Sequence, residues 1–435
     1  MRTHAFPSRN RSNERGSVLL LALVIGTIIG IVMGSYMALV GSQNRAVIRS
    51  QAWNYEIAVA EAGLEEALTQ LYHHANDLSA DGWVLATNSF MKSRALTNAF
   101  YTVLISNVVP PVVYSYGYTM IPGTTNYMKP RIVRIGTVSN ALFRRGLVAR
   151  GTIDMSGNNV KTDSFDSGDP TYSTNGRYDS AKAKDNGDVA TNSGVVNSFN
   201  LGNANIYGHA ATGPGGSVAV GSNGGVGSRV WQNAGNTGIE TGWFTDDMNV
   251  SFSDVNPPFT SGASVGSGSN GGTNYTYVIG SGNFMTSSLS MSGQNKMAVT
   301  GNAVLYVTGN VSLSGQSFIY IAPGASLQLY VAGSSTSIGG NGVANGNSNA
   351  TNFFYYGLPS NTSISLSGNA AFTGIIYAPQ ADFTLGGGGN NPYDFVGASI
   401  TGSVRMNGHY NFHYDEALAR LGASSGYVAT SWNEL

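Results

Sequence analysis

The feature that most constrains this chain is an uninterrupted run from Ser17 to Asn44 (SVLLLALVIGTIIGIVMGSYMALVGSQN), in which Tyr36 is the sole ionisable side chain. About 20 apolar residues cross a bilayer core of about 30 Å, so this run is long enough to span one. It follows a leader, MRTHAFPSRNRSNERG, in which Arg2, Arg9, Arg11 and Arg15 stand against a single Glu14. Positive charge flanking an apolar segment stays on the cytoplasmic side. The expected orientation is amino terminus inside, with everything after about residue 45 outside.

A secretory signal peptide has an apolar core of only about 7–15 residues, ending at a small-residue cleavage site. Here the run is longer and passes without proline into a second helical pattern. Trp53, Ile57, Ala60, Leu64, Leu68 and Leu71 recur every three or four residues, with Glu56, Glu61, Glu65 and Glu66 on other faces. That is the period of an amphipathic helix. No proline lies between Pro7 and Pro110, so one helix is expected from about Ser17 to about His74, about 85 Å long. An ordinary uncleaved signal anchor would share the apolar half but gives no account of the amphipathic one. Gly26, Gly30 and Gly34 fall four apart on one face. Small residues at that spacing let helix backbones approach closely in lipid, although glycine is also simply commoner in membrane helices.

A basic leader ending in Arg15-Gly16, Ser17 opening an apolar helix, and the A-x-A-E-A-G-L-E-E-A-L register over Ala58–Leu68 together resemble a type IV pilin-like precursor, closest to the PilX-like minor pilins. The resemblance runs from Met1 to Ala75. It implies cleavage between Gly16 and Ser17 by a prepilin peptidase on the cytoplasmic side, with methylation of the new amino terminus. It further implies a helix that leaves the inner membrane to pack against other pilin-like subunits. Major pilins usually carry Glu at the fifth mature position, where this chain has Leu21. A carboxylate in lipid is costly unless paired, and pilins are thought to pair it with a neighbour's amino terminus. Its omission, shared with many PilX-like proteins and K-type minor pseudopilins, favours a minor or initiating subunit.

Beyond the helix, strand-like runs are broken by Pro110-Pro111. A basic stretch (Lys129, Arg131, Arg134, Arg144, Arg145, Arg150) then precedes an acid-leaning one (Asp154, Asp163, Asp166, Asp169, Asp179, Asp185, Asp188), read as charge facing solvent. From about Gly151 the chain turns Gly/Asn/Ser/Thr-rich, yet similar segments recur at Tyr306, Tyr330, Tyr356 and Tyr377, in steps of 24, 26 and 21 residues. Short strands joined by Gly and Asn corners at a period in the low twenties suit one turn of a parallel β-helix. Leu313, Leu327, Ile338, Leu366 and Leu385 are the candidates to face inward. An antiparallel β-sandwich is the alternative, but it needs no shared phase. The expected fold class is therefore α plus all-β, a transmembrane/amphipathic helix followed by a right-handed parallel β-helix. The layout is leader 1–16, helix 17–75 (17–42 transmembrane), strand-rich connector 76–150, β-helix 151–408 and C-terminal cap 409–435. A short helix over 415–421 is expected to stop edge-to-edge growth.

Composition narrows the function. With 58 Gly, no Cys, 10% charged residues and a net charge of -1, the chain has no thiolate chemistry or disulfides. It also lacks the basic surplus that nucleic acid binding requires. His409 and His413 with Asp415 and Glu416 are the one dense group of metal-ligand types. The alternating Tyr410, Phe412 and Tyr414 set those side chains on different faces, so a packed cap is expected, with no metal. Asp382 is the only charged residue between Ser312 and Phe383, leaving the regular coils without an acid–base pair. The Gly386–Gly389 run has no following Lys-Ser or Lys-Thr and is not a phosphate loop. No enzyme activity and no cofactor are expected. The expected role is structural: filament assembly or initiation, surface display and adhesion, with surface glycans and neighbouring cells as adhesion partners. The alternative is a membrane-anchored β-helix protein that binds or degrades carbohydrate outside any filament.

Overall fold

One helix, α1 (Arg15–His73), spans 59 residues, about 88 Å at 1.5 Å per residue. The computed structural model describes residues 15–74, 77–121, 123–139, 142–157, 160–367, 372–386, 393–408, 410–420 and 427–435. The fold is a long apolar N-terminal helix plus a large, mostly parallel β-sheet region. The chain divides into two units, Met1–Asn140 with Ser425–Leu435, and Ala141–Ser424.

In the smaller unit, β1 (Val84–Ala86), β2 (Ser89–Leu96), β3 (Ala99–Ser106), β4 (Val112–Thr119) and β5 (Arg131–Ser139) form an antiparallel sheet in chain order. Burial alternates along β3 and β4, as period-two side chains require when one face is covered. The cover is the C-terminal half of α1, whose Val59, Ala60, Leu64, Ala67 and Leu71 pack with Tyr101, Val103, Ile105, Val113 and Val133. Two glycines set how closely helix and sheet approach. A Cβ on Gly117 would lie 2.3 Å from the Glu56 carbonyl oxygen, and one on Gly63 would lie 2.4 Å from Ser115 Oγ. Gly63 is thus the residue of the Ala58–Leu68 register that the helix–sheet contact cannot replace. Glu56 is buried and accepts from the Thr119 N–H at 3.1 Å. Glu66 accepts from Tyr101 and Arg94 and sits 2.9 Å from Lys92 Nζ.

The sheet has a sixth strand, Tyr427–Glu434, which pairs antiparallel with β5, Tyr427 opposite Ser139. Within the strand-rich stretch 76–150, the strands between Val84 and Ser139 form the sheet that covers α1, completed by Tyr427–Glu434, while Leu147–Ala149 pairs within the larger unit. The whole of Ala141–Ser424 is inserted where a hairpin loop would stand.

The larger unit is built of short strands stacked in parallel register. Tyr306, Tyr330, Tyr356 and Tyr377 lie directly opposite one another on successive strands, so the sequence period is the step of the stack. Inside, Leu313, Ile338, Leu366 and Leu385 form a second ladder, and with Leu327 all five expected inward residues are buried. Each such side chain contributes about 1.5–3 kcal/mol by leaving water. Phe372, Phe395 and Phe412 stack face to face in the interior with centroids 4.6 and 4.5 Å apart. At the corner after Tyr330 the chain must be glycine, because a Cβ on Gly333 would lie 2.1 Å from the carbonyl carbon of Gly309 one level away.

The order of levels differs from the order of sequence. The tyrosine ladder continues from Tyr377 to Ile400, then to Val148, Ala190, Ala211 and Thr245. In the other direction it runs from Tyr306 to Met285 and Ser264. The chain thus enters the stack in its middle, builds outward to Thr245, crosses to the far end at Ala263, and builds back until the late strands meet the first. Ten steps of about 4.8 Å separate those ends, about 48 Å, and extended backbone at about 3.3 Å per residue covers this with the residues between. That crossing segment, residues 246–262, runs over the outer ladder. Met248 N–H bonds the Thr212 carbonyl, Tyr377 donates to the Ser253 carbonyl at 2.7 Å, and Phe259 meets Tyr306 edge-on.

The C-terminal residues correct a sequence expectation. Strand Tyr410–Asp415 pairs on both sides, with Tyr393–Gly397 and with Lys161–Phe165. It and the short 3-10 turn Glu416–Arg420 lie mid-stack, so residues 410–420 do not cap an end of the stack. Residues 410–420 belong to the larger unit and 427–434 to the smaller. The outward-building run instead finishes beside the short helix Arg229–Asn233, and the other end carries the antiparallel hairpin of Gly266–Asn270 and Thr273–Ile279.

Candidate functional site

Two places carry chemistry that the fold alone does not require. The first is the N-terminal half of α1. Leu19, Leu23, Ile28, Ile31 and Met37 are all exposed, and the helix is long and apolar enough to cross a membrane, as an anchor or a signal sequence would be. Gly26, Gly30 and Gly34 meet no described atom within 4 Å of an added Cβ, so the face they line is open. Leu21 is exposed on the same rod. Gly16 and Ser17 lie in its first turn, while residues 1–14 lie outside the described residues.

The second is the seam where the late strands meet the first. His413 and Asp163 stand opposite each other in register, both almost wholly buried, with His413 Nδ1 bonded to Asp163 Oδ1. The other ring nitrogen, Nε2, lies 3.2 Å from Asp394 Oδ1. With a carboxylate on each nitrogen, both must donate, which is the imidazolium form. Burial alone would lower the histidine pKa, but the bonds and charges of Asp163 and Asp394 outweigh it and raise it. Burial would conversely raise both carboxyls, and the histidine holds them below their ordinary range. Tyr178 stacks on the His413 ring at 3.6 Å and donates to Asp163 Oδ2 at 2.8 Å. Burial and then the Asp163 charge push the Tyr178 hydroxyl pKa up. Arg229 Nη2 and Lys161 Nζ approach Asp163 at 3.3 and 3.5 Å.

The residues of metal-ligand type at 409–416, expected as a packed cap, are engaged by protein groups where they are described. His409 lies outside the described residues, as do Gly387–Gly389 of the glycine run. Asp415 is engaged by the Ser167 and Ala417 N–H groups, and Glu416 by Ser164, Lys184 and Asn186. In the acidic stretch, read from sequence as solvent-facing, Asp163 and Asp166 are buried, and others form ion pairs within the chain. Asp154 pairs with Arg405, Asp166 with Arg420, Asp185 with Arg229 and Asp188 with His209.

A groove of 950 Å³ opens over the seam. Its floor is three in-register residues on neighbouring strands, Asp394, Asn411 and Lys161, with His413 beneath. Its wall is the excursion between Phe165 and Val189, which carries Arg177. One level away the same corner takes only Gly208 and His209, between Tyr207 and Ala210.

A family model described as "Domain of unknown function (DUF7305)" matches residues 254–421. The matched span begins within the crossing segment, takes in every strand from Ala263 to Asp415, and stops just beyond the 3-10 turn. No curated protein and no solved structure matches the chain. The matched span holds His413 and Asp394 but not Asp163, Lys161 or Arg177, so the groove is made jointly with strands outside it. Sequence reasoning misses these partners because the two sides of the seam, Asp163 and His413, come from opposite ends of the unit's sequence. The only local signal is charge, in a chain whose regular repeats carry almost none.

Proposed function

We propose that the protein is a minor pilin-like or pseudopilin-like structural subunit. In this reading a prepilin peptidase cleaves it between Gly16 and Ser17, and it is held in the bacterial inner membrane by residues 17–42 with its amino terminus inside. It then passes to a type IV pilus-like filament or its initiating complex by packing the bare half of α1 against related helices. The larger unit, proposed to be a right-handed parallel β-helix, is displayed outward for adhesion.

The supporting observation is the division of α1. Its C-terminal half is covered by its own antiparallel sheet, while Val18–Val40 is uncovered apolar surface with an open glycine face. Such a surface persists only in lipid or against another apolar rod. The β-helix proposal draws on the parallel registers, the regular sequence steps between rungs and the buried ladders. Leu21 in place of the usual Glu favours a minor over a bulk position.

Mass spectrometry of the mature amino terminus is the test. A terminus at Ser17, carrying N-methylation, together with co-purification with sheared filaments, is the expected result. A persistent Met1 in a protein that never leaves the membrane would overturn it in favour of a lone anchor bearing a carbohydrate-directed domain.

A further inference from the structure

We propose that the groove over the seam binds an acidic saccharide, its carboxylate on Arg177 and its hydroxyls on the Asp394–Asn411–Lys161 floor. The groove's carboxylates are already supplied with donors. Asp179 takes the Thr174 hydroxyl and the Ala181 N–H, and Asp394 takes His413 and Asn411; Asp163, buried beneath, takes His413, Tyr178, Lys161 and Arg229. Arg177 is different. It is exposed, and its guanidinium has no acceptor among the described residues. The backbone that presents it is fixed, because Thr174 and Arg177 exchange backbone hydrogen bonds at 3.0 Å across Asn175 and Gly176, both with positive φ. This is the tight turn that Asn-Gly favours.

A planar guanidinium on a fixed backbone turn, left without an acceptor, can take a carboxylate in bidentate fashion. The rest of the lining is chiefly amide, hydroxyl and charged groups, which pair with hydroxyls and offer little to an apolar side chain. Asp394 is half exposed, and its bond from His413 Nε2 fixes the carboxylate while leaving capacity to accept from a ligand hydroxyl. A ligand with one carboxylate and several hydroxyls per unit, a uronic acid oligomer, uses both features together. The volume suits a short oligosaccharide. The strand excursion that forms the wall is far longer than the corner requires, and such excursions on a rigid scaffold are where binding residues concentrate.

This inference deepens the adhesion part of the proposed function and relies on it only for where the groove is presented. Binding is measured on the full chain in detergent micelles by titration calorimetry with tetragalacturonate, with maltotetraose and sodium sulfate as neutral-sugar and bare-anion controls. Filament incorporation is scored separately, so failure of one is distinguishable from failure of the other. Tetragalacturonate should bind at least ten-fold more tightly than either control. Arg177→Gln should weaken it at least ten-fold with an unchanged melting temperature, since that side chain has no partner to lose. Asp394→Asn should weaken it while sparing the response to added salt. No tetragalacturonate binding, equal binding of maltotetraose or sulfate, or an Arg177→Gln protein that binds as before would each overturn the proposal.

Discussion

His413 and Asp163 are far apart in the chain yet face each other across one rung of the larger unit, bonded side chain to side chain with almost no water contact. They mark the point where the strands made last dock onto the strand made early. Neutral Ser, Thr and Gly suffice for the regular levels, whose neighbours are also close in sequence. The seam has no such proximity, and the cluster of ion pairs there gives it a register that a slipped pairing could not satisfy.

Removing one partner leaves the other charge buried and unpaired. Asp163→Ala should therefore cost about 3–5 kcal/mol, read as a lower urea midpoint. The double variant Asp163→Ala/His413→Ala should cost less than the two single losses added together, because the pair acts as a unit.

The same cluster predicts a stability window in pH. His413 has a raised folded pKa, so its contribution is complete below the unfolded value of about 6.5 and is lost as pH rises through the folded one. Asp163 and Asp394 have lowered folded pKa values, so theirs is complete above about 3.9 and lost as pH falls. Tyr178, whose hydroxyl pKa is raised, keeps its proton across this range and sets no limb of it. The urea midpoint of the larger unit should be highest between roughly pH 4 and 6.5. A His413→Asn protein should lose the decline on the alkaline side.

In the smaller unit, Gly117→Ala places a methyl 2.3 Å from a helix carbonyl that has no rotamer by which to move aside. The helix must lift from the sheet. A loss of about 1–3 kcal/mol is expected, with faster amide exchange in β3 and β4 than elsewhere in the chain.

Leu366→Ala, on the inner ladder between Ile338 and Leu385, should cost about 2–5 kcal/mol by opening a cavity there. Tyr377→Phe removes the hydroxyl that holds Ser253. A lost hydrogen bond of this kind should cost only about 1 kcal/mol. The clearer signature is faster proteolysis within residues 246–262.

What can be read in advance follows from how far each interaction reaches along the chain. The helix is legible from a 3.6-residue period and an absence of proline. The tyrosine ladder is legible because its rungs recur at a nearly constant spacing and repeat the same side chain. The covering sheet of the smaller unit is not, since its sixth strand returns from the end of the chain to pair Tyr427 with Ser139. The acidic stretch reads as solvent-facing because its partners, His413, Arg405 and Arg420, come from beyond residue 400. The mid-stack entry of the chain leaves no local trace, because a parallel strand pairs equally well on either side.

The pairing of Ser139 with Tyr427 has a mechanical consequence. Both crossings into the inserted unit leave from the same end of adjacent strands, so a tug on that unit reaches the small sheet at one rung. Tension there unzips the outermost strand bond by bond instead of shearing all its bonds together. Under such a load, the first strand of the smaller sheet to peel is its last, Tyr427–Glu434.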